Sequence, residues 1–370
     1  MKHVDVAVVG AGIVGAASAS ALARRGHRVA LVEREQECAL QATEAAAGLL
    51  GAQHDAPSAR HFPLLCAALE SWRDLPRRLL DGTGLDVALS VQRGLRLLMS
   101  DAAIEASILH VAALREVGFD ADILPIDECV RRHPWLSADA ALGAIWLAED
   151  RHVAAGMTGR ALALEAQKHG ADLMTGANVT ALERTATGAF LLRTHKGDLT
   201  AERVVNAAGA WAKDLGAWVG AHVPVFPVRG QMMTTPALPL HLDAVVITDD
   251  AYFLQRPSGH VLVGATVEHV GFDTRVVPSM VDALWDRARS IAPGLADFAV
   301  DDRWAGLRPG TPDAQPILGE APGVPGFVLA CGHYRNGILL GPLTGELVAD
   351  LCEGKRPTID LTPYAPGRFD

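Results

Sequence analysis

Apolar positions recur along this chain with two periods. Val4, Val6, Val8 and Val9 predict a short buried strand, Val29–Val32 a second one, and a helix runs between them through Ala23. Arg24 and Arg25 in that helix's last turn and Gly26 just beyond are what dipole and C-cap rules favour. Leu162, Leu164 and Ala166 give a helical pattern over 154–169, followed by strand-like runs at 178–182, 189–194 and 203–206. Runs at 223–235, 244–247, 252–255 and 260–266 have β character between Pro and Gly, with Arg256-Pro257-Ser258-Gly259 as a hairpin turn. They predict an antiparallel sheet in a second domain. Leu343, Leu347, Val348 and Leu351 line one side of a last helix, which Gly354 ends. Residues 43–52, small and apolar, predict a helix start where backbone closely approaches something, although an alanine-rich packing helix has the same composition.

Between the first strand and helix stands Gly10-Ala11-Gly12-Ile13-Val14-Gly15. Gly10 permits a tight turn, Gly12 lets backbone approach a pyrophosphate, and Gly15 lets helix pack on strand. The helix N-terminus supplies free N–H groups and partial positive charge. Glu33 closes the second strand eighteen residues past Gly15, where a carboxylate can bond ribose hydroxyls. The pattern predicts dinucleotide binding and leaves NAD and FAD open; the acid disfavours NADP by repelling a 2′-phosphate. The uncharged stretch from Val6 to Ala23 has the look of a signal peptide or membrane helix, but Asp5 and the spaced glycines fit strand, turn and helix better.

Composition narrows the choice. With 370 residues, two to three domain-sized units are expected, and 49% hydrophobic with 21% charged residues excludes disorder as the main state. A net charge of −10 argues against nucleic acid, and the lack of a Lys/Arg block against an anionic membrane surface. Five scattered cysteines without a CxxC support neither a disulfide framework nor a cysteine zinc site, and suit a reducing, cytoplasmic compartment. GxSxG, P-loop and HExxH patterns are absent, so no metal is expected.

Eight stretches carry a family resemblance: GAGIVG at 10–15, ALVE at 30–33, AAAGLLGA at 45–52, VVNAAGAW at 204–211, PVRGQM at 227–232, SGHVLVGATVEHVGFD at 258–273, WAGLRPGTPD at 304–313 and GHYRNGILLGPLTG at 332–345. On these the chain resembles flavoproteins of the D-amino-acid-oxidase type over its whole length, and within them the glycine oxidases of thiamine biosynthesis. The resemblance implies an α/β plus α+β fold, a Rossmann-like FAD-binding domain (1–85, 150–220 and 303–370) interleaved with a substrate domain on a large antiparallel sheet (86–149 and 221–302). It implies that Gly10, Gly12, Ile13, Val14 and Gly15 hold the pyrophosphate, Glu33 and Arg34 the adenosine end, and Val179 the adenine. Thr43, Ala47, Gly48, Leu50, Ala208, Gly209 and Trp211 would approach the cofactor elsewhere. His333, Arg335, Asn336, Gly337, Ile338 and Leu339 would wrap the flavin and present a helix N-terminus to its N1/C2=O edge.

Arg308 and Tyr252 would grip the substrate carboxylate, with Gly51 and Arg335 beside them and Arg335 also suited to gating. No side-chain base is implied, since hydride passes to flavin N5. The partners implied are a small amino acid and molecular oxygen, and a homo-oligomer is expected. Asp250 stands where some glycine oxidases have His, and Val267 where some have Met, which bears on side-chain preference. The WAGLRPG stretch lacks the Cys that holds flavin covalently in sarcosine-oxidase relatives, so noncovalent FAD is expected and Cys331 reads as a packing residue. Three other readings stay open on the sequence. One is the FAD subunit of a D-amino-acid, hydroxyproline or opine dehydrogenase that passes electrons to a partner, in a hetero-oligomer. The others are a noncatalytic FAD subunit and an NAD-dependent dehydrogenase.

Overall fold

Valine-rich strands with both faces covered read as continuous apolar runs, and that is how the first sheet is built. A computed structural model describes residues 2–369. β1 (Lys2–Val9), α1 (Ile13–Arg24) and β2 (Val29–Val32) form the predicted strand, turn, helix and strand. α2 (Phe62–Ser71), α3 (Leu75–Thr83), β3 (Ser90–Leu98), α4 (Asp101–Glu116), β4 (Ala121–Pro125), α5 (Ile126–Arg132) and β5 (Gly143–His152) follow. Next come α6 (Ala155–Lys168), β6 (Asp172–Met174), β7 (Val179–Arg184), β8 (Phe190–Thr194), β9 (Leu199–Asn206) and α7 (Ala212–Ala217). The chain continues through β10 (Phe226–Ala237), β11 (Ala244–Ile247), β12 (Tyr252–Gln255), β13 (His260–Gly264), α8 (Pro278–Ile291) and β14 (Asp302–Gly310). β15 (Ile317–Glu320), β16 (Phe327–Cys331) and α9 (Gly337–Cys352) complete it.

One sheet has the order β15-β16-β9-β1-β2-β6, parallel from β16 to β6, with the β7–β8 hairpin laid along the start of β9. All four residues of β2 and all five of β16 are buried. α1, α6 and α9 pack on one face of this sheet, with Leu22, Leu162 and Val348 in their shared core. The other sheet has the order β14-β10-β13-β12-β11-β3-β5-β4, antiparallel except where β3 meets β11. α8 covers it through Leu284 and Trp285.

Two expectations need correction. Residues 43–52 form turns rather than a helix start, and a short 3-10 turn begins only at Ala52. Tertiary contacts decide this: Gly48, at φ 78°, lies so close to Val153 that a Cβ would sit 2.0 Å from its carbonyl oxygen. The Arg256 guanidinium pins the same segment, donating to the carbonyls of Ala47 (2.8 Å) and Val153 (2.7 Å). The run expected at 223–235 begins as a strand only at Phe226, where its pairing with Gly310 at the end of β14 starts, and continues to Ala237.

Candidate functional site

The glycine turn is set by contact. A Cβ on Gly10 (φ 100°) would sit 2.5 Å from the Ala207 carbonyl oxygen at the end of β9, and one on Gly15 would sit 1.8 Å from the Gly10 carbonyl oxygen. The turn is therefore wedged between β9 and α1. Its amides are distributed outward: Ala11 N–H donates to the Glu33 carboxylate at 2.7 Å, and Ile13 N–H to Thr43 Oγ1 at 3.0 Å. Glu33 also accepts from its neighbour's Glu35 N–H at 3.0 Å, which fixes the carboxylate at the end of β2. A second helix N-terminus reaches the same place because α9 packs tightly along α1. A Cβ on Gly345 would sit 2.5 Å from the Ala17 carbonyl oxygen, and one on Gly341 would touch Ile13 at 3.0 Å. Neither α1 nor α9 carries an acid in its first turn, so both positive dipole ends are left for a ligand's negative charge.

These termini open on one cavity of about 1170 Å³ that runs to the second sheet. Gly10, Gly12, Ile13, Val14, Glu33 and Arg34 line it from the β1–α1–β2 unit, and Thr43, Ala47, Gly48 and Gly51 from the loop beyond. Val179, Ala208, Gly209 and Trp211 line its middle, where the Arg34 guanidinium stacks 3.6 Å from the Trp211 ring. His333, Arg335, Asn336, Gly337 and Ile338 line the α9 end, and Tyr252 and Arg308 the second sheet. Gly15, Leu50 and Leu339 do not line it: Gly15 is a packing contact, Leu50 is fully buried, and the Leu339 carbonyl accepts from Trp72 Nε1 at 2.9 Å. Two helix N-termini, a fixed acid at a strand end and a volume above the ~300–1,000 Å³ of a drug-sized pocket fit an elongated FAD with room for a small substrate. Cys331 also lines the cavity, but burial pushes its thiol up to about 12, so it stays protonated.

Strand register builds the substrate end. Arg96 on β3, Ile247 on β11, Tyr252 on β12, Gly264 on β13, Met232 on β10 and Trp304 on β14 stand opposite one another in a single row. Residues directly opposite share a face, and Arg308, four positions past Trp304, returns to the same side of β14. Two glycines make room: a Cβ on Gly230 would fall 2.1 Å from Arg308 Nη1, and one on Gly264 would fall 3.0 Å from the Tyr252 hydroxyl. Arg308 Nη1 donates to the Thr266 carbonyl at 3.0 Å, and no carboxylate among the described residues lies within 4 Å of its guanidinium. Burial pulls its pKa below the usual arginine value without removing its charge near neutrality. Burial raises the Tyr252 phenol, so it remains a donor, resting at 3.5 Å on the weak acceptor Met232 Sδ.

Thr266 is itself held. Its hydroxyl donates to Glu268 Oε1 at 2.6 Å and accepts the Gln231 N–H at 2.9 Å, while Glu268 pairs through Oε2 with Arg229 Nη2 at 2.5 Å. Sequence reading missed this support, and it missed the pairing of His54 Nε2 with Asp150 Oδ2 at 2.7 Å on the cavity wall. It also passed over Tyr334, at φ 47°, whose N–H donates to the Pro309 carbonyl at 3.0 Å and links the α9 loop to β14. Only the glycines in PVRGQM and GHVLVG hinted at any of it. Asp250 sits on the rim, accepting from Thr248 Oγ1 at 2.7 Å and facing Arg287 at 3.4 Å; Val267, half-exposed, lines the cavity.

A family profile described as FAD dependent oxidoreductase matches residues 5–351. A glycine oxidase of Geobacillus kaustophilus is 38% identical over 366 residues, covering 98% of this chain and 96% of that one. One from Pseudomonas aeruginosa is 35% identical over 377 residues, covering 98% of each. The crystal structure of glycine oxidase from Geobacillus kaustophilus superposes with a TM-score of 0.95 at 36% identity, covering 100% of this chain and 99% of that one.

Proposed function

The chain belongs to the FAD-dependent oxidoreductase family, and from that premise we propose that it is an amine oxidase for glycine and other small amino acids, sarcosine and small D-amino acids among them. The net reaction is amino acid, O2 and water to 2-oxo acid, amine or ammonia, and hydrogen peroxide. Noncovalently bound FAD supplies the two-electron acceptor. The resemblance to glycine oxidases further implies that the imine serves thiamine thiazole synthesis in the cytoplasm.

The chain's own residues bind and orient. Arg308 offers a guanidinium fork that matches a carboxylate bidentately, and Tyr252 offers a hydroxyl with only a weak partner to give up. Together they fix the acid group and so restrict where the Cα–H can point in the cavity; fixing the reacting geometry is worth several powers of ten in rate. The first-turn amides of α9 offer positive potential to negative charge developing beside them. No side-chain base on carbon is required when the amine reacts in its neutral form.

The observation that carries this reading is the Arg308 guanidinium: buried, on the cavity wall, bonded to one carbonyl and matched to no carboxylate among the described residues. The test is anaerobic bleaching of the yellow enzyme by glycine in Arg308→Ala and Arg308→Lys. Loss of charge-assisted hydrogen bonds worth about 1.5–3 kcal/mol each predicts at least about 100-fold weaker kcat/KM in Arg308→Ala. Readmitted air then restores the colour of the wild type and yields peroxide. Bleaching at an unchanged rate and affinity in Arg308→Ala refutes the assignment.

A further inference from the structure

The cavity wall carries a further arginine, Arg96, that the carboxylate grip of Arg308 and Tyr252 does not use; Asp249 and Asp250 line the cavity as well. Arg96 lies in the same cross-strand row as Tyr252, with β11 between them, and both line the cavity. Two inter-strand gaps place their Cα atoms about 10 Å apart on one face of the sheet. The Arg96 guanidinium makes one long bond, from Nη1 to the His54 carbonyl at 3.3 Å, and no carboxylate among the described residues lies within 4 Å of it. Arg96 is half-buried and faces the cavity without an anion, and bidentate carboxylate recognition is what a guanidinium's geometry suits.

His54 stands beside it. Its ring lines the cavity, its Nε2 is bonded to Asp150, and its Nδ1 is buried with no partner among the described residues. Asp150 cannot swing over to neutralise Arg96: it is fully buried and also accepts from Gln53 Nε2 at 3.2 Å and from the Arg151 N–H at 2.9 Å. The rim carboxylate of Asp250 is already engaged by Thr248 and Arg287. A close fit brings His54 there, since a Cβ on Gly51 would fall 2.2 Å from its Cδ2.

From this arrangement we propose that Arg96, with His54 held by Asp150, is a subsite for a second carboxylate. The substrate class favoured is then amino acids that carry an additional acid group on the side chain or on the nitrogen. The assignment rests on the amine-oxidase reading, which supplies the first carboxylate grip at Arg308.

Holoenzyme is tested with pairs that differ in the second acid: D-aspartate against D-asparagine, and N-(carboxymethyl)glycine against sarcosine. Anaerobic flavin bleaching gives kcat/KM for each, and the ratio within a pair cancels any loss of folded protein. One charge-assisted contact predicts a preference for the diacid of about 10- to 100-fold in at least one pair. Arg96→Gln reduces that ratio towards one, Arg96→Lys keeps part of it, and His54→Gln lowers it less. Binding of malonate against acetate, read from the flavin absorbance, needs no turnover and follows the same order. If glycine bleaches the flavin but no pair prefers the diacid, or the preference survives Arg96→Gln, the subsite is overturned and the oxidase reading stands. If no amine bleaches the flavin, the oxidase reading falls; tighter malonate binding that is lost in Arg96→Gln then still upholds the subsite, and equal binding of malonate and acetate overturns it.

Discussion

Gly230→Ala tests the site through one added methyl group. Gly230 lies inside β10 without a positive φ, so its backbone suits alanine, and a glycine in a strand is worth roughly 0.5–1 kcal/mol less than alanine. The new Cβ would fall 2.1 Å from Arg308 Nη1, 2.3 Å from Nη2 and 2.4 Å from Cζ. Carbon contacts settle near ~3.5 Å, so the guanidinium must retreat by about 1.4 Å. The end of a long side chain can do that without unfolding the strand, but it gives up its 3.0 Å bond to the Thr266 carbonyl. A misplacement of about 1 Å costs about 100-fold where orientation carries the rate, which is about 2.7 kcal/mol at the transition state. The assay is stopped-flow anaerobic bleaching by glycine alongside thermal melts and flavin content. The expected result is kcat/KM down about 100-fold with flavin content kept and a cooperative melt close to the parent's, the strand's gain being offset by the lost hydrogen bond. Wild-type kcat/KM in a normally folded variant would mean that the position of Arg308 does not govern the reaction.

Glu268→Gln removes the charge that holds Thr266 and faces the almost fully buried Arg229, which keeps Asp273 at 3.3 Å as a second partner; losing one charged hydrogen bond predicts about 1.5–3 kcal/mol lower stability in denaturant melts and a raised KM for glycine, with KM unchanged refuting the link from Glu268 to Arg308. Burial lowers His152 to about 3, with Arg256 adding, and His333 to about 4, both from an ordinary 6.5. The native state therefore binds fewer protons than the unfolded chain between those values, and stability must fall as pH drops from 6.5 towards 3–4. His333→Gln should flatten that part of the stability-against-pH curve, and an unaltered slope would refute the neutral buried imidazole.

The β1–α1–β2 unit was legible because its signals are local: apolar runs, three spaced glycines and an acid lie within thirty-three residues. The second sheet was half legible. β11 and β12 fall on their expected bounds, but β3, with Gln92, Arg93 and Arg96 among its nine residues, lacks the apolar signal of a strand: Arg96 serves the cavity, while Gln92 and Arg93 bond the carbonyls of Gln255 and Ala148. Residues 43–52 misled for the opposite reason. Their composition favours helix, but the contact of Gly48 with Val153 and the bond from Ile13 to Thr43 join parts of the chain far apart, and tertiary contact overrides propensity. Arg308 was expected from the GLRPG stretch and Tyr252 from the family resemblance, and both line the cavity; the pairing of His54 with Asp150, 96 positions apart, had no local signal to offer.

The tight seam between α1 and α9 also sets an order of events. Residues 10–15 leave the ribosome first, and the partner turn at 333–338 follows more than three hundred residues later. At translation speeds of about 5–20 residues per second, the nascent polypeptide spends on the order of 20–60 s with its glycine turn made and the opposite wall of the cofactor cavity still missing. Vitamin capture is then a late, whole-chain event, so a release just before residue 333 should leave a colourless product however well its amino-terminal strands have formed.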